Sequence, residues 1–387
     1  MKEHVYNRNI ILILAASFFY MSSPMLINPL IAGFSKNLGS STMFAGIVAG
    51  LMNITSLFLR PIAGNLVDHH SKYLLSSFGG IFLLIASIGY IIAVNPFWLL
   101  IIRIINGLGY VLCTVCMATW MASLLPRKRI GSGMGIYGLM NALGMAMAPA
   151  LGIYLYQEFG YRRAFIASAI SSALMILLVQ LVTDRGYPMK VSNRQHSTKK
   201  FQIVQVKVLP IAMILMLFAL PYFATQAYIV SYVASIHSTV AVGSFFPIYA
   251  VLLLILRMSM KNLFDTIPFG KFLYISLFST FIGLLALSHL TNNLMMFIAA
   301  LGLAGGYGLM FSICQSTSLL IVPRNEQGLA NSTFYIGMDL GMSMGPIIGG
   351  VIKSVLRTTW FYPAMMLTLP IIWLIYYLNR RELNSVV

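Results

Sequence analysis

Apolar residues run through this chain in twelve long stretches, roughly 9–33, 42–66, 73–94, 97–121, 132–156, 162–183, 208–233, 241–263, 270–290, 294–320, 327–352 and 358–379, separated by polar joints. Each reaches the ~20 residues at which an α-helix crosses the hydrocarbon core of a bilayer. Backbone amides inside lipid have no water to bond, so helices that satisfy them internally are the expected form. The pattern predicts an all-α integral membrane protein with twelve transmembrane helices. One joint, 184–207, is longer than the rest, polar and basic. No appended soluble domain is expected.

The polar punctuation repeats at one offset. Arg60-x-x-x-Gly64-Asn65-Leu66-Val67-Asp68 returns 197 residues later as Arg257-x-x-x-Lys261-Asn262-Leu263-Phe264-Asp265. The same offset pairs Pro24 with Pro221, Asn95 with Asn292, Gly109-Tyr110 with Gly306-Tyr307, and Pro126-Arg127 with Pro323-Arg324. It also pairs Gly131 with Gly328, Gly144-Met145 with Gly341-Met342, and Pro149 with Pro346. A spacing held along most of the chain implies two six-helix pseudo-repeat halves, 1–183 and 208–387, joined by a linker at 184–207. Internal repeats of this kind in an apolar chain point to a transporter whose halves rock about a central site.

Composition supports the membrane reading: 59% of residues are hydrophobic and 9% charged, against about 25% charged in soluble domains. A formal net charge of +17 raises nucleic acid as a partner, but the cations are distributed by topology. With a cytoplasmic N-terminus, nineteen Lys and Arg fall on the inner side and five (Lys36, Arg162, Arg163, Lys353 and Arg357) on the outer. That bias orients the chain with both termini cytoplasmic. The first apolar run is too long for a signal-peptide core and is expected to remain as a helix. Cys113 and Cys116 form a C-x-x-C inside a span, with no His or acid nearby to complete a metal or redox site. They read as small packing residues.

Four constellations carry candidate chemistry. Gly64 to Lys72 fills the joint between helices 2 and 3. Its glycine permits close helix approach and its Asp68, with nearby cations, suits a breakable latch that Asp265 echoes; Arg60, Gly64, Asp68, Lys72, Arg257 and Asp265 are the expected gating residues. Arg103 is a cation well inside a span, where charge costs at least ~2.5 kcal/mol and therefore faces a partner or cavity. It opens Arg103-x-x-x-Gly107-x-Gly109, with Asn106, Tyr110, Thr114 and Met117 on the same face. Helix 5 carries Gly135, Gly144, Ala148-Pro149 and Gly152, echoed by Gly341, Gly345-Pro346 and Gly349-Gly350 in helix 11, a pattern of small residues for backbone-to-backbone packing. Asp339, halfway along helix 11, is the one acid among eight in the interior of a span.

At these residues the chain resembles the major facilitator superfamily over essentially its whole length. Gly64 to Lys72 is similar to the family's helix 2–3 signature, Arg103 to Gly109 to its helix 4 signature, which is assigned to proton handling, and Gly135 to Gly152 to the helix 5 signature of the drug–proton antiporter branch. Gly160-Tyr161-Arg162-Arg163-Ala164-Phe165 resembles the family's opening of helix 6. Arg60-Pro61 before the helix 2–3 signature resembles small Gram-positive efflux permeases. Ser71 stands where the family has Gly, Tyr73 where it has a second basic residue, and Ala148 where it has the Gly before Pro149. The resemblance implies proton-coupled export from the cell membrane.

Low dielectric disfavours the charged form of a carboxyl such as Asp339, which suits it to binding and releasing a proton as water access alternates. Its repeat mate is Ala142, so a coupling site formed by Asp339 and Arg103 is asymmetric. Substrate lining is expected from helices 1, 4, 7 and 10, the family's cavity helices, through Tyr20, Asn28, Asn106, Tyr110, Tyr222, Gln226, Tyr307 and Gln315. An aromatic, weakly polar cavity of this kind suits small amphipathic or cationic compounds. A dedicated exporter of one metabolite or metallophore, or an importer of the same fold, has the same sequence signs. A non-transporting scaffold has no need of Arg103 or Asp339 inside the membrane. No converging His, Cys and acid and no nucleotide-binding loop are present. The chain is thus expected to be no enzyme, to use no cofactor, metal, ATP or nucleic acid, and to act as a monomer with a small-molecule substrate and protons.

Overall fold

The computed structural model describes residues 7–188, 201–237, 240, 242–260 and 263–385. Lys261 and Asn262 of the repeated motif, the central part of the linker and the extreme N-terminal cations lie outside the described residues. Among the described residues there is no strand, and twelve helices have the length and apolarity to cross a membrane. They are α1 (Arg8–Asn37), α2 (Met43–His69), α3 (Lys72–Ile92), α4 (Pro96–Leu124), α5 (Arg127–Phe159) and α6 (Tyr161–Gln180). The second set is α7 (Val206–Val230), α8 (Val242–Met260), α9 (Phe269–Ser288), α10 (Asn293–Leu320), α11 (Arg324–Val355) and α12 (Thr358–Leu383). Number and order agree with the hydropathy pattern. α1 runs several residues further than the apolar stretch suggests, through a 3-10 turn at Asn28–Leu30 that contains Pro29.

The chain forms two compact units. One contains Met1–Pro126, Tyr137–Ile203 and Arg324–Ser332; the other contains Arg127–Ile136, Val204–Pro323 and Thr333–Val387. The opening turns of α5 thus belong with the second unit and those of α11 with the first. In the first unit α1 and α4 are the most buried helices; in the second, α7 and α10.

Repeated residues perform repeated local tasks. The Asn95 side chain accepts from the Phe97 amide at the start of α4 (2.8 Å), and Asn292 accepts from Met295 at the start of α10 (3.0 Å). Each satisfies an amide that the helix itself leaves unbonded. Pro24 and Pro221 lie inside α1 and α7. Gly109 packs against the backbone at Gly79 and Leu83, where an added Cβ would come within 2.8 Å of the Gly79 carbonyl. Gly306 packs in the same way against Thr280 and Ser276, residues 83 and 79 moved on by 197. The two halves share a packing frame as well as a helix count.

Polar glue differs between the units. In the first, Ser23, Ser87, Ser168 and Ser172 join α1, α3 and α6 in one buried network, with Oγ–Oγ distances of 2.7–3.1 Å. Hydroxyls that bond across helices stabilise apolar bundles without exposing unsatisfied groups. In the second, α9 and α10 meet at Gly283 and Gly302, where backbone lies on backbone.

That contact yields a direct test. Gly302→Ala drives a methyl into the Gly283 backbone and should destabilise the purified protein by ~1–3 kcal/mol. Gly50→Ala, with nothing within 4 Å of the new methyl, should be neutral or stabilising by up to ~1 kcal/mol. Thermal unfolding in detergent compares the two; equal melting temperatures would show that α9 and α10 do not meet at residue 302.

Candidate functional site

The repeated aspartates hold helix N-termini. In the first unit, Asp68 at the end of α2 accepts from the Gly328 amide (2.7 Å) and the Leu329 amide (3.0 Å), both in the opening turn of α11. In the second unit, Asp265 accepts from the Ser132 amide (2.8 Å) in the opening turn of α5. Residue 132 is the repeat mate of 329. A helix N-terminus presents unbonded amides and a partial positive charge, so a carboxylate there forms charge-assisted bonds. The cation beside Asp265 contributes little: Arg129 Nη1 lies 3.7 Å from its Oδ2 and is half exposed.

Glycines make these caps possible. A methyl at Gly328 would stand 2.6 Å from the Gly64 carbonyl and 2.8 Å from the Asp68 carboxylate. A methyl at Gly131 would strike the Phe264 carbonyl and the Asp265 carboxylate. At Gly64 it would meet Ser332 and the Leu329 backbone. Gly131 and Gly328 stood among the repeated residues, and that pairing was the available signal for their role. Further bonds fasten the α11 start: Ser332 Oγ donates to the Arg60 carbonyl, Asn331 Nδ2 donates to the Val115 carbonyl (3.2 Å), and Arg324 donates to Leu125 (3.3 Å). Arg127 likewise donates to the Leu320 carbonyl at the end of α10 (3.1 Å).

Two of the departures from the resembled signature, Ser71 and Tyr73, have local explanations. Ser71 caps α3 and donates to the Arg185 carbonyl, and the Arg185 guanidinium lies over the Tyr73 ring at 4.0 Å. The Lys72 amide donates to Gly186 (3.0 Å), a residue in the left-handed region at φ 55°. Asn65 Nδ2 donates to the Gln202 carbonyl (2.7 Å). The described ends of the linker are therefore tied to the start of α3 and to the last turns of α2.

Arg103 is fully buried and engages oxygen acceptors from two elements. Nε donates to the Val48 carbonyl (3.0 Å), and Nη2 donates to Asn28 Oδ1 (2.8 Å) and the Ala49 carbonyl. The 3-10 turn in α1 brings Asn28 to this position. Asn28, expected as a cavity residue, is thus the side-chain partner of the buried arginine, which sequence periodicity had no means to show.

The remaining expected lining residues divide. Tyr20 is buried and shares a hydrogen bond with Tyr137 (2.9 Å). Tyr110 lies under Arg60, whose Nη1 donates to Thr114 Oγ1 (2.8 Å). Asn106 is buried, and neither of its side-chain amide atoms has a hydrogen-bond partner among the described residues. Tyr222 and Tyr307 stack with centroids 4.8 Å apart. Gln315 donates to the Tyr335 hydroxyl (3.2 Å), and Asp339 lies buried one turn beyond Tyr335 in α11. Gln226 is exposed. Arg257 is buried, with Nη2 donating to the Gly308 carbonyl (2.8 Å).

The packing glycines meet partners within their own units. Gly144 and Gly152 in α5 lie on α1, the latter against the Leu26 carbonyl, while Gly341 and Gly345 in α11 lie on α7 at Met216 and Leu220. Gly135 faces the Phe264 ring, and Pro149 and Pro346 are inside their helices.

Two outcomes test this geometry. With Cys113, Cys116 and Cys314 replaced, Ser332→Cys should label slowly with a maleimide; adding Asp68→Ala, which removes a cap of about 0.5–2 kcal/mol, should speed labelling several-fold. Unchanged labelling would show that the cap does not hold the α11 start. Arg103→Lys should lose transport nearly as fully as Arg103→Ala, because one ammonium cannot reproduce a planar fork that reaches both Asn28 and α2. Wild-type flux in a correctly inserted Lys variant would reduce the role of Arg103 to its charge.

Comparison with known proteins fits this architecture. An MFS-type transporter of Methanocaldococcus jannaschii is 21% identical over 379 residues, covering 96% of this chain and 98% of the relative. A multi-drug resistance efflux pump PmrA homolog of Lactococcus lactis is 26% identical over 210 residues, about half of each chain (49% and 51%). Among solved structures, a bacterial homologue of the iron transporter ferroportin in an outward-facing state superposes with a TM-score of 0.76 at 14% identity, covering 97% and 99% of the chains. The Escherichia coli fucose:proton symporter superposes with a TM-score of 0.75 at 12% identity, covering 96% and 98%. These relatives are transporters rather than enzymes. The family model of the Major Facilitator Superfamily matches residues 12–346, and the chain belongs to that family as a multi-pass membrane transporter.

Proposed function

We propose that this protein exports small amphipathic compounds, cationic ones included, across the cell membrane in exchange for protons, with both termini cytoplasmic. The observation that carries the reading is Asp339: the chain's one acid in the interior of a span, buried in α11 one turn from the Tyr335–Gln315 pair. A carboxyl there is costly to ionise away from water, so its proton occupancy follows the side from which water reaches it. Partial likeness to multidrug efflux pumps supports the direction.

In this scheme Asp68 and Asp265 are the gate. Each joins a helix end to the first turn of another helix through backbone amides, a bond strong enough to hold and weak enough to release. Arg103 stays fixed against Asn28 and α2 and supplies a permanent positive charge. Protons from outside load Asp339; release inside leaves an anion. The start of α11 leaves Asp68, and the start of α5 leaves Asp265, only when the caps give way.

Asp339→Asn should abolish proton-driven accumulation in reconstituted vesicles while downhill exchange of the same compound persists. Accumulation against a gradient by this variant would remove Asp339 from coupling and leave the exporter reading without its principal support.

A further inference from the structure

The two repeated arginines share a sequence context but have different surroundings. Arg60 has Thr114 as a hydroxyl acceptor for Nη1. The residue 197 positions after Thr114 is Phe311, which offers Arg257 only a ring face, 5.8 Å from the guanidinium carbon. Arg257 donates through Nη2 to the Gly308 carbonyl, while among the described residues its Nε and Nη1 have no hydrogen-bond partner and the residue is 4% exposed. Leaving a buried donor unsatisfied is unfavourable, the more so on a charged group. Two such donors on one guanidinium are a cost that the first half of the molecule avoids.

The backbone beside Arg257 also departs from the repeat. α4 is α-helical throughout Pro96–Leu124, whereas α10 opens into a π turn at Ala304–Gly308. Such turns concentrate at functional positions. Gly308, which supplies the carbonyl for Arg257, lies close to α8: an added methyl would stand 2.6 Å from Leu253 and 3.1 Å from the Tyr249 hydroxyl. Tyr307, in the same turn, stacks on Tyr222, whose ring also lies 4.9 Å from Tyr249. Three tyrosines and a guanidinium with two unused donors therefore gather within the second unit.

We propose that Arg257 recognises a carboxylate on the transported molecule, whose flat apolar body lies along the Tyr222–Tyr307 stack. A carboxylate is the planar acceptor that matches a guanidinium fork, and the rings supply apolar area with polar tips. The proposal rests on the reading of the protein as an amphiphile exporter and narrows its substrates to amphiphiles that bear an acidic group, zwitterions included. The Thr114-to-Phe311 exchange leaves donors open on one side of the repeat only, so recognition is confined to the second unit.

The test uses full-length protein in nanodiscs with 2-naphthoate, its methyl ester and 2-naphthylmethylammonium as probes. Naphthoate should bind and raise the melting temperature, with at least a tenfold affinity advantage over the ester; Arg257→Gln should remove that advantage. Arg257→Lys, which keeps the charge but loses the fork, should fall between them. Without ligand, Arg257→Gln should melt no lower than wild type, because it removes two unsatisfied donors. A purely structural arginine predicts the reverse, a lower melting temperature in the variant and unchanged naphthoate binding, and that pattern overturns the site. So does failure of wild type to prefer naphthoate over the ester. Inorganic phosphate at the same concentration should compete poorly; competition equal to naphthoate would show a simple anion site and overturn the aromatic part. Proton-driven export, assayed separately, distinguishes the failures: export without Arg257-dependent naphthoate binding sinks this site alone, and the converse sinks the export reading alone.

Discussion

An aspartate capping the first turn of a helix to which it is not joined is the contact on which the rest of the arrangement depends. Asp68 holds the Gly328 and Leu329 amides and Asp265 holds the Ser132 amide. The bonds need a carboxylate, amides left open by helix geometry, and glycine at the point of approach. Because these requirements are local, they explain residues otherwise scattered along the sequence: Gly64, Gly131 and Gly328 clear space, while Asn331 and Ser332 anchor the turn that Asp68 caps. They also explain why the opening turns of α5 and α11 belong to compact units other than those of most of their own halves.

On that repeated frame the chemistry is unequal. The frame consists of Asn caps, a proline within the first helix of each half, and glycines laid on the preceding helix. The exceptions are charged or aromatic. Arg103 has Ala300 as its mate, Asp339 has Ala142, and Thr114 has Phe311. The first two exchanges place an ionisable group that is expensive in lipid on one side of the repeat only, and the third replaces a hydroxyl acceptor with a ring. A symmetric scaffold supplies matching hinges and caps, while an asymmetric lining allows one half to hold a fixed charge and the other to titrate or bind. Sequence divergence between the halves therefore marks chemistry better than their similarity does.

The same distinction governs what was legible before any coordinates. Helix number and order followed from apolar length, and the Asn95–Asn292 and Gly109–Gly306 pairs pointed to tasks the structure assigns in full. What remained hidden were partners that carry no side-chain identity. Asp68 suggested a latch with nearby cations, and its carboxylate also accepts from backbone amides, which every residue but proline offers. Arg103 suggested a buried partner or cavity; two of its oxygen acceptors are carbonyls of α2, and the third oxygen, from Asn28, lies in the 3-10 turn that interrupts α1. The π turn at Ala304–Gly308 is written as small residues around Tyr307, which read equally well as ordinary packing.

Magnitudes show why caps suit a gate better than buried ion pairs do. A buried pair costs several kcal/mol per ion in lost hydration, and breaking it strands a charge in low dielectric. A carboxylate on a helix N-terminus at the membrane edge keeps access to water when released, and the amides it leaves can be hydrated as well. Such a cap is worth about 0.5–2 kcal/mol, and 1.4 kcal/mol shifts an equilibrium tenfold. A ligand or proton that binds one conformation better than the other by that amount can therefore tip the balance. Under the proposed cycle, protonation of Asp339 and occupancy beside Arg257 need supply only that differential, because neither cap is strong enough to trap the molecule.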